Sequence, residues 1–197
     1  MIEALLIAVA PPAEPVAQAA APDCSYDLEA MLKLDQKAFD QTLPDGGWRG
    51  LYKRGCYAEA AELIREWRHA KRDHASILYT HEGQMRAFAG QTDQAVALLR
   101  LTYKPLDEDA KFGWNFCMDG TIAFLERDQK GLNKAIERLK SVPKSEAEMV
   151  YADGTPVKMK WPPNLDVLEA LERCWDRSFA EAYRNEECRR VEDRSLN

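Results

Sequence analysis

Three histidines, five cysteines and several clusters of carboxylates are the residues of this chain that could do chemistry. His74 and His81 stand seven positions apart. On a helix that is about two turns, or roughly 10 Å, too far for one ion to bridge. His69 and His74 straddle a turn with no carboxylate at an obvious ligand position. His81-Glu82 is not followed by a second histidine at the spacing a zinc-protease helix requires. No Gly-x-Ser-x-Gly elbow, phosphate-cradling glycine loop or dinucleotide-binding fingerprint occurs. The residues therefore predict no metal site, no cofactor and no catalytic assignment.

The carboxylates read as structure. Glu59, Glu62 and Glu66, interleaved with Arg65, form a spaced acidic stripe expected on a solvated helix face. Asp107-Glu108-Asp109 precedes a predicted helix near 111, where acids favour the positive end of the helix dipole. The densest basic run, 65–74, falls at a predicted helix end, where cations complement the negative pole. Gly46-Gly47 reads as a turn. The net charge of −6 argues against a general nucleic-acid binder, which needs a basic surface to displace counterions.

The cysteines are 24, 56, 117, 174 and 188. In an exported protein an odd count gives two bridges and one spare thiol. Cys117, inside the apolar run Phe-Gly-Trp-Asn-Phe-Cys-Met, is the candidate buried thiol. That leaves Cys24 with Cys56, and Cys174 with Cys188, as disulfide candidates, against the alternative of separate buried thiols. The second pair would lie at different heights in a continuous hairpin turning near Ser178, so it requires a last helix ending near Asn185. No Cys-x-x-Cys spacing suggests zinc.

Export rests on the first 22 residues. They contain no Lys or Arg, carry a short apolar run at 4–10, and continue as a Pro/Ala tract with small residues at Ala17 and Ala19. This reads as a signal peptide or a disordered tail. The apolar run is far too short to span a bilayer. Residues 23–197 form one domain, placed in the periplasm or secreted if the leader is cleaved, and cytoplasmic otherwise.

The domain must be almost all helix. Apolar residues recur at helical spacing over 27–41, and again over 48–54, 57–71, 75–89, 92–102, 111–127 and 130–140. Residues 141–163 are the exception. They hold four prolines, and Asp153-Gly154 is a hairpin-turn signal. Trp161, beside Pro162-Pro163, is the tryptophan least expected in the core, suited to a recognition surface or to anchoring this segment.

Small residues then reveal a period. Ala60, Ala95 and Ala135 each sit early in the second helix of a pair, at spacings of 35 and 40 residues. Gly55 and Gly90 lie five before the first two alanines, and Gly83 lies twelve before Ala95. This pattern resembles the tetratricopeptide repeat, a helix pair of about 34 residues in which small residues let two helices approach closely. The match is best over 76–107 and covers about half the chain, with two extra residues expected in the turn before Ala135.

The resemblance implies that Gly83 and Ala95 are two halves of one tight contact and that 27–41 and 164–190 are end caps. It also implies a concave groove lined by Ile77, Thr80, Gln84 and Ala87, with Asn115 and Met118 as counterparts in the next unit. The expected fold class is all-α: antiparallel helix pairs stacked as a short tetratricopeptide-like array, with capping helices and one long loop or small β-hairpin at 141–163. The expected function is non-catalytic binding of a peptide or protein partner in the cell envelope. The alternatives are a helical enzyme with its site beneath the 141–163 loop, or a structural subunit of an envelope assembly.

Overall fold

Helices, several of them joined through left-handed residues, make up most of the described chain. A computed structural model describes residues 21–42, 46–144 and 160–189. The expected leader and cleavage site, and the Asp153-Gly154 hairpin, lie outside the described residues. Helix α1 (Leu28–Lys33) is followed by a single π-helical turn at Lys37–Gln41. Then come α2 (Arg49–Lys53), α3 (Tyr57–Lys71), α4 (Ser76–Phe88), α5 (Thr92–Arg100) and α6 (Leu106–Asp109). The chain continues with α7 (Trp114–Leu125), α8 (Gln129–Lys140), α9 (Leu165–Arg173), α10 (Phe179–Arg184) and α11 (Glu186–Arg189). No strand occurs among the described residues, and none of their helices is long and apolar enough to cross a membrane.

One turn geometry recurs, at Arg72 between α3 and α4 and before three further helices. Gly55, Gly90 and Arg127 occupy the left-handed region at φ 82, 73 and 60°. In each case the next amide reaches back over the helix end. Cys56 N–H donates to Leu51 at 3.0 Å, Gln91 to Arg86 at 2.9 Å and Asp128 to Ala123 at 2.8 Å. This is the Schellman closure, which satisfies carbonyls the helix leaves open. The following helices also begin alike, with Ala60, Ala95 and Leu132 donating to Cys56, Gln91 and Asp128. The turns before α3, α5 and α8 therefore share one closure and one helix start, offset by 35 and then 37 residues.

This corrects the expected register. The turn before α8 carries no extra residues, and the residue equivalent to Ala95 is Leu132. Ala135 instead stands where Leu98 stands. A Cβ on Gly83 would lie 3.3 Å from Leu98 Cβ, and one on Gly120 would lie 3.2 Å from Ala135 Cβ. The close neighbours of Gly83 are thus Leu98 and Leu99, one turn beyond Ala95.

The expected 27–41 helix is broken. Leu34 is extended, and Asp35 restarts the coil by accepting the Ala38 amide at 2.7 Å, as a helix cap does. The freed Leu34 carbonyl accepts Trp67 Nε1–H at 3.3 Å. The expected helix 111–127 begins only at Trp114. Asp107–Asp109 belong to α6, and buried Asp109 accepts the Asn115 amide at 2.7 Å, capping α7 from a distance.

Two readings of charge also change. Arg68 and Arg86 are buried, and Glu82 lies between them. Arg68 Nη2 is 2.6 Å and Arg86 Nη2 3.7 Å from the Glu82 carboxylate. Glu62, half-buried rather than fully solvated, pairs with Arg86 at 2.6 Å and with Arg65 at 2.8 Å. These ions join α3 to α4.

The C-terminal helices cover the last helix pair and also fold back toward α4. The expected hairpin turns near Ser178: Cys174 closes α9, and a Ser178–Glu181 capping box opens α10. α9 packs on α7 and α8, while α10 crosses to α4. Phe179 and Tyr183 each place a ring 5.3 Å from that of Phe88. Gly120 makes room for α9 on α7, since a Cβ there would stand 2.7 Å from Leu168 Cδ1.

Both cysteine pairs are bonded. Cys24–Cys56 spans Cα atoms 5.5 Å apart and Cys174–Cys188 spans 5.8 Å. The second pair meets its geometric condition because α10 ends at Arg184 and Asn185 is extended. Cys117 is free and buried. Two such bridges are the chemistry of an oxidising compartment.

Candidate functional site

The fold-back leaves one cavity between the first helices of the pairs and the C-terminal helices. Its volume is about 220 Å³. α4 supplies Ile77, Thr80, His81 and Gln84, and α7 supplies Trp114, Cys117, Met118 and Thr121. Both sets follow i, i+3, i+4, i+7 spacing, one helical stripe each. Leu99 closes the floor, Asn164 and Val167 line the start of α9, and Phe179 and Tyr183 project from α10.

Four of the six expected groove residues therefore meet in one place: Ile77, Thr80, Gln84 and Met118. The other two do not. Ala87 is only 4% exposed and does not line the cavity. Asn115 faces away and pins the preceding loop, accepting from Lys104 N–H at 2.8 Å and donating to its carbonyl at 2.9 Å. Trp161 is an anchor: half-buried, it donates Nε1–H to the Val142 carbonyl at 3.1 Å.

The chemistry of the cavity centres on His81. Its Nδ1 lies 2.6 Å from Asp40 Oδ1, across 41 positions of sequence. That same oxygen accepts Trp48 Nε1–H at 3.0 Å. Arg49 donates to the Asp40 carbonyl, and its guanidinium lies 4.2 Å over the Trp48 ring. Burial pushes the Asp40 carboxyl up, but His81, Trp48 and Arg49 together outweigh burial and hold it below its ordinary value. The π-helical turn places Asp40, α2 places Trp48 and Arg49, and α4 places His81.

The hydroxyls in the wall are engaged. Thr80 donates to Ser76 at 3.0 Å and Thr121 to Cys117 at 2.9 Å, each to a carbonyl of its own helix. Burial raises the Tyr183 phenol, and a side-chain hydrogen bond with Gln84 offsets this only in part. Burial pushes the Cys117 thiol up to about 12, so it stays protonated and unreactive. The only cluster of potential metal ligands among the described residues is Cys24, Cys56 and Glu59. Its two sulfurs are bonded to each other, so it offers no cation site.

Comparison with family models, with curated proteins and with solved structures returned no match.

Sequence reasoning missed His81, Trp114, Thr121, Asn164, Phe179 and Tyr183 as cavity residues. His81 was within reach, since it shares the Ile77–Gln84 stripe. Asp40 carried no local signal, because its role depends on a contact 41 residues away.

Proposed function

We propose that this chain is a short tetratricopeptide-like array of the bacterial cell envelope, exported by an N-terminal leader, that binds a peptide segment of a protein partner. The observation that carries this reading is the convergence of Ile77, Thr80, Gln84 and Met118 on one cavity between α4 and α7. The three equivalent turns and the small-residue contacts at Gly83 and Gly120 support the repeat assignment. The two disulfides support the compartment. Because α9 and α10 lie across the first helices, recognition is confined to one buried side chain and a rim, not an extended groove.

The Asp40–His81 pair is the single feature favouring an enzyme. It lacks a nucleophile: among the described residues no hydroxyl or thiol hydrogen-bonds His81. The test is selection of a random peptide library on the disulfide-intact protein. The expected result is a consensus whose binding weakens about tenfold on Ile77→Asp at the exposed mouth. No consensus, or one indifferent to both Ile77→Asp and Gln84→Ala, removes the reading.

A further inference from the structure

We propose that the cavity takes an aromatic hydrocarbon ring, the side chain of a phenylalanine in the bound peptide. This rests on the peptide-binding reading and names the residue that anchors the peptide.

Charge sets the first limit. No Asp, Glu, Lys or Arg lines the cavity. The one side chain there that can carry a positive charge, His81, already faces Asp40, whose Oδ1 lies 2.6 Å from Nδ1. An ionic side chain entering the cavity would be desolvated without a counter-charge in the lining.

Polarity sets the second limit. The Thr80 and Thr121 hydroxyls donate to carbonyls of their own helices, and Gln84 and Tyr183 hydrogen-bond each other. Asn164 is exposed and stands at the rim, as does Ile77. The polar side chains of the wall are thus engaged or turned to the solvent-facing rim. The buried end, where Leu99, Met118, Val167 and Phe179 stand, is apolar. A polar group pushed to that end would leave water for apolar surroundings.

The walls then choose among apolar side chains. Trp114, Phe179 and Tyr183 supply three rings, and Cys117 and Met118 supply two sulfurs. Ring–ring and sulfur–ring contacts favour an aromatic occupant over an aliphatic one of similar area. Size agrees. A cavity of about 150 Å³ is enough for benzene, so about 220 Å³ admits a benzyl group.

The test follows the methionine methyl resonances of carbon-13-labelled, disulfide-intact protein during titration. Met118 lines the cavity, and Met31 lies in a separate cleft beside α1 and serves as the control. Met118→Leu assigns the reporting resonance. The probes are toluene, acetyl-Ala-Phe-Ala-amide and the leucine and lysine counterparts of that peptide. Toluene and the phenylalanine peptide should move the Met118 resonance and leave Met31 in place. The phenylalanine peptide should bind about fivefold tighter than the leucine peptide, the worth of aromatic contacts beyond buried area. The lysine peptide should leave Met118 unmoved. Equal or tighter binding of the leucine or the lysine peptide overturns the phenylalanine inference and leaves the peptide reading standing. Movement of Met118 by toluene but by no peptide keeps the ring and overturns the peptide reading. An unmoved Met118 with every probe overturns the inference.

Discussion

The array of helix pairs and the C-terminal helices are held by different means. Across the array, one turn geometry recurs at Gly55, Gly90 and Arg127, and a buried ion network ties α3 to α4. The C-terminal helices repeat nothing. A disulfide, a cluster of aromatic rings around Phe88, Phe124, Phe179 and Tyr183, and the side chain of Arg127 hold them. One local turn closure thus recurs along the array before α3, α5 and α8, whereas the tail of C-terminal helices docks through contacts that do not recur. The cavity lies at their junction, so anything that loosens the tail should reshape the site without unfolding the stack.

The largest effect should come from the array. Removing Glu82 leaves Arg68 and Arg86 buried, with Glu62 the only carboxylate partner left, and Glu62 belongs to Arg86. Breaking a buried pair by deleting one partner costs about 3–5 kcal/mol. Glu82→Ala should therefore lower the urea midpoint of the whole molecule, read by far-ultraviolet circular dichroism. A loss confined to the tail would mean that the network does not hold the stack.

Next comes the tail bridge. The Cys174→Ser, Cys188→Ser double variant opens a closed loop of 14 residues, which the loop-entropy model values at about 3 kcal/mol. Hydrogen exchange should quicken in α9 and α10, while the amides of α3, α4 and α5 keep their protection. Opening Cys24–Cys56 should act on the other end, loosening α1 and sparing α9 and α10. If both double variants gave the same exchange pattern, array and tail would be one cooperative unit.

How much of this was legible follows the same division. Local rules announced the array. Gly55 and Gly90 mark left-handed turns that glycine adopts most easily, and Gly83 marks a close approach. The third unit was misaligned because Arg127 hides a turn of the same geometry behind a side chain that rarely adopts it. The fold-back was not legible, since its contacts join Phe179 to Phe88 and Leu168 to Gly120 over long separations with no periodic trace. The cavity was half legible for that reason. Its α4 and α7 residues follow helical stripes, whereas Asp40 and Tyr183 arrive from outside the repeat.

Gly83→Leu sharpens the register. The new side chain would press on Leu98 and Leu99, whose atoms lie 3.1 to 3.3 Å from the site of a Cβ. Overpacking of this kind costs about 1–3 kcal/mol. A companion Leu98→Ala should recover part of the loss, whereas shortening a residue beyond this contact should not. Recovery measured by thermal melts would fix Leu98 as the partner, and its absence would return the contact to Ala95.

Acid probes the junction. Asp40 is held below its ordinary value of 3.8 in the folded chain. Its contribution to stability is therefore full above that value and is lost as pH falls through the lower folded value. Asp40→Asn should flatten the acid limb of the stability curve measured by denaturant midpoints. An acid limb identical to the parent's would mean the carboxylate is not linked to folding.

The smallest effect is the most discriminating, because Arg127 belongs to both regions. Its backbone holds the turn that glycine fills in the other two units, at a conformational cost of about 1 kcal/mol. Its side chain donates to the Trp175 carbonyl at 2.6 Å and the Arg177 carbonyl at 3.1 Å, clamping the turn between α9 and α10. The guanidinium also lies 5.0 Å over the Phe124 ring. These contacts are exposed, so they contribute modestly, about 1 kcal/mol together. Arg127→Gly should then leave the global denaturation midpoint within about 0.5 kcal/mol of the parent, relief and loss nearly cancelling. Hydrogen exchange would resolve the two terms: slower opening at the α7–α8 turn, faster opening in α10. Arg127→Asn tolerates the left-handed turn but cannot reach the tail, so it should speed α10 in the same way. Should Arg127→Gly slow exchange in both places, the arginine would be a strained turn residue alone, and the tail would rest on its disulfide and its rings.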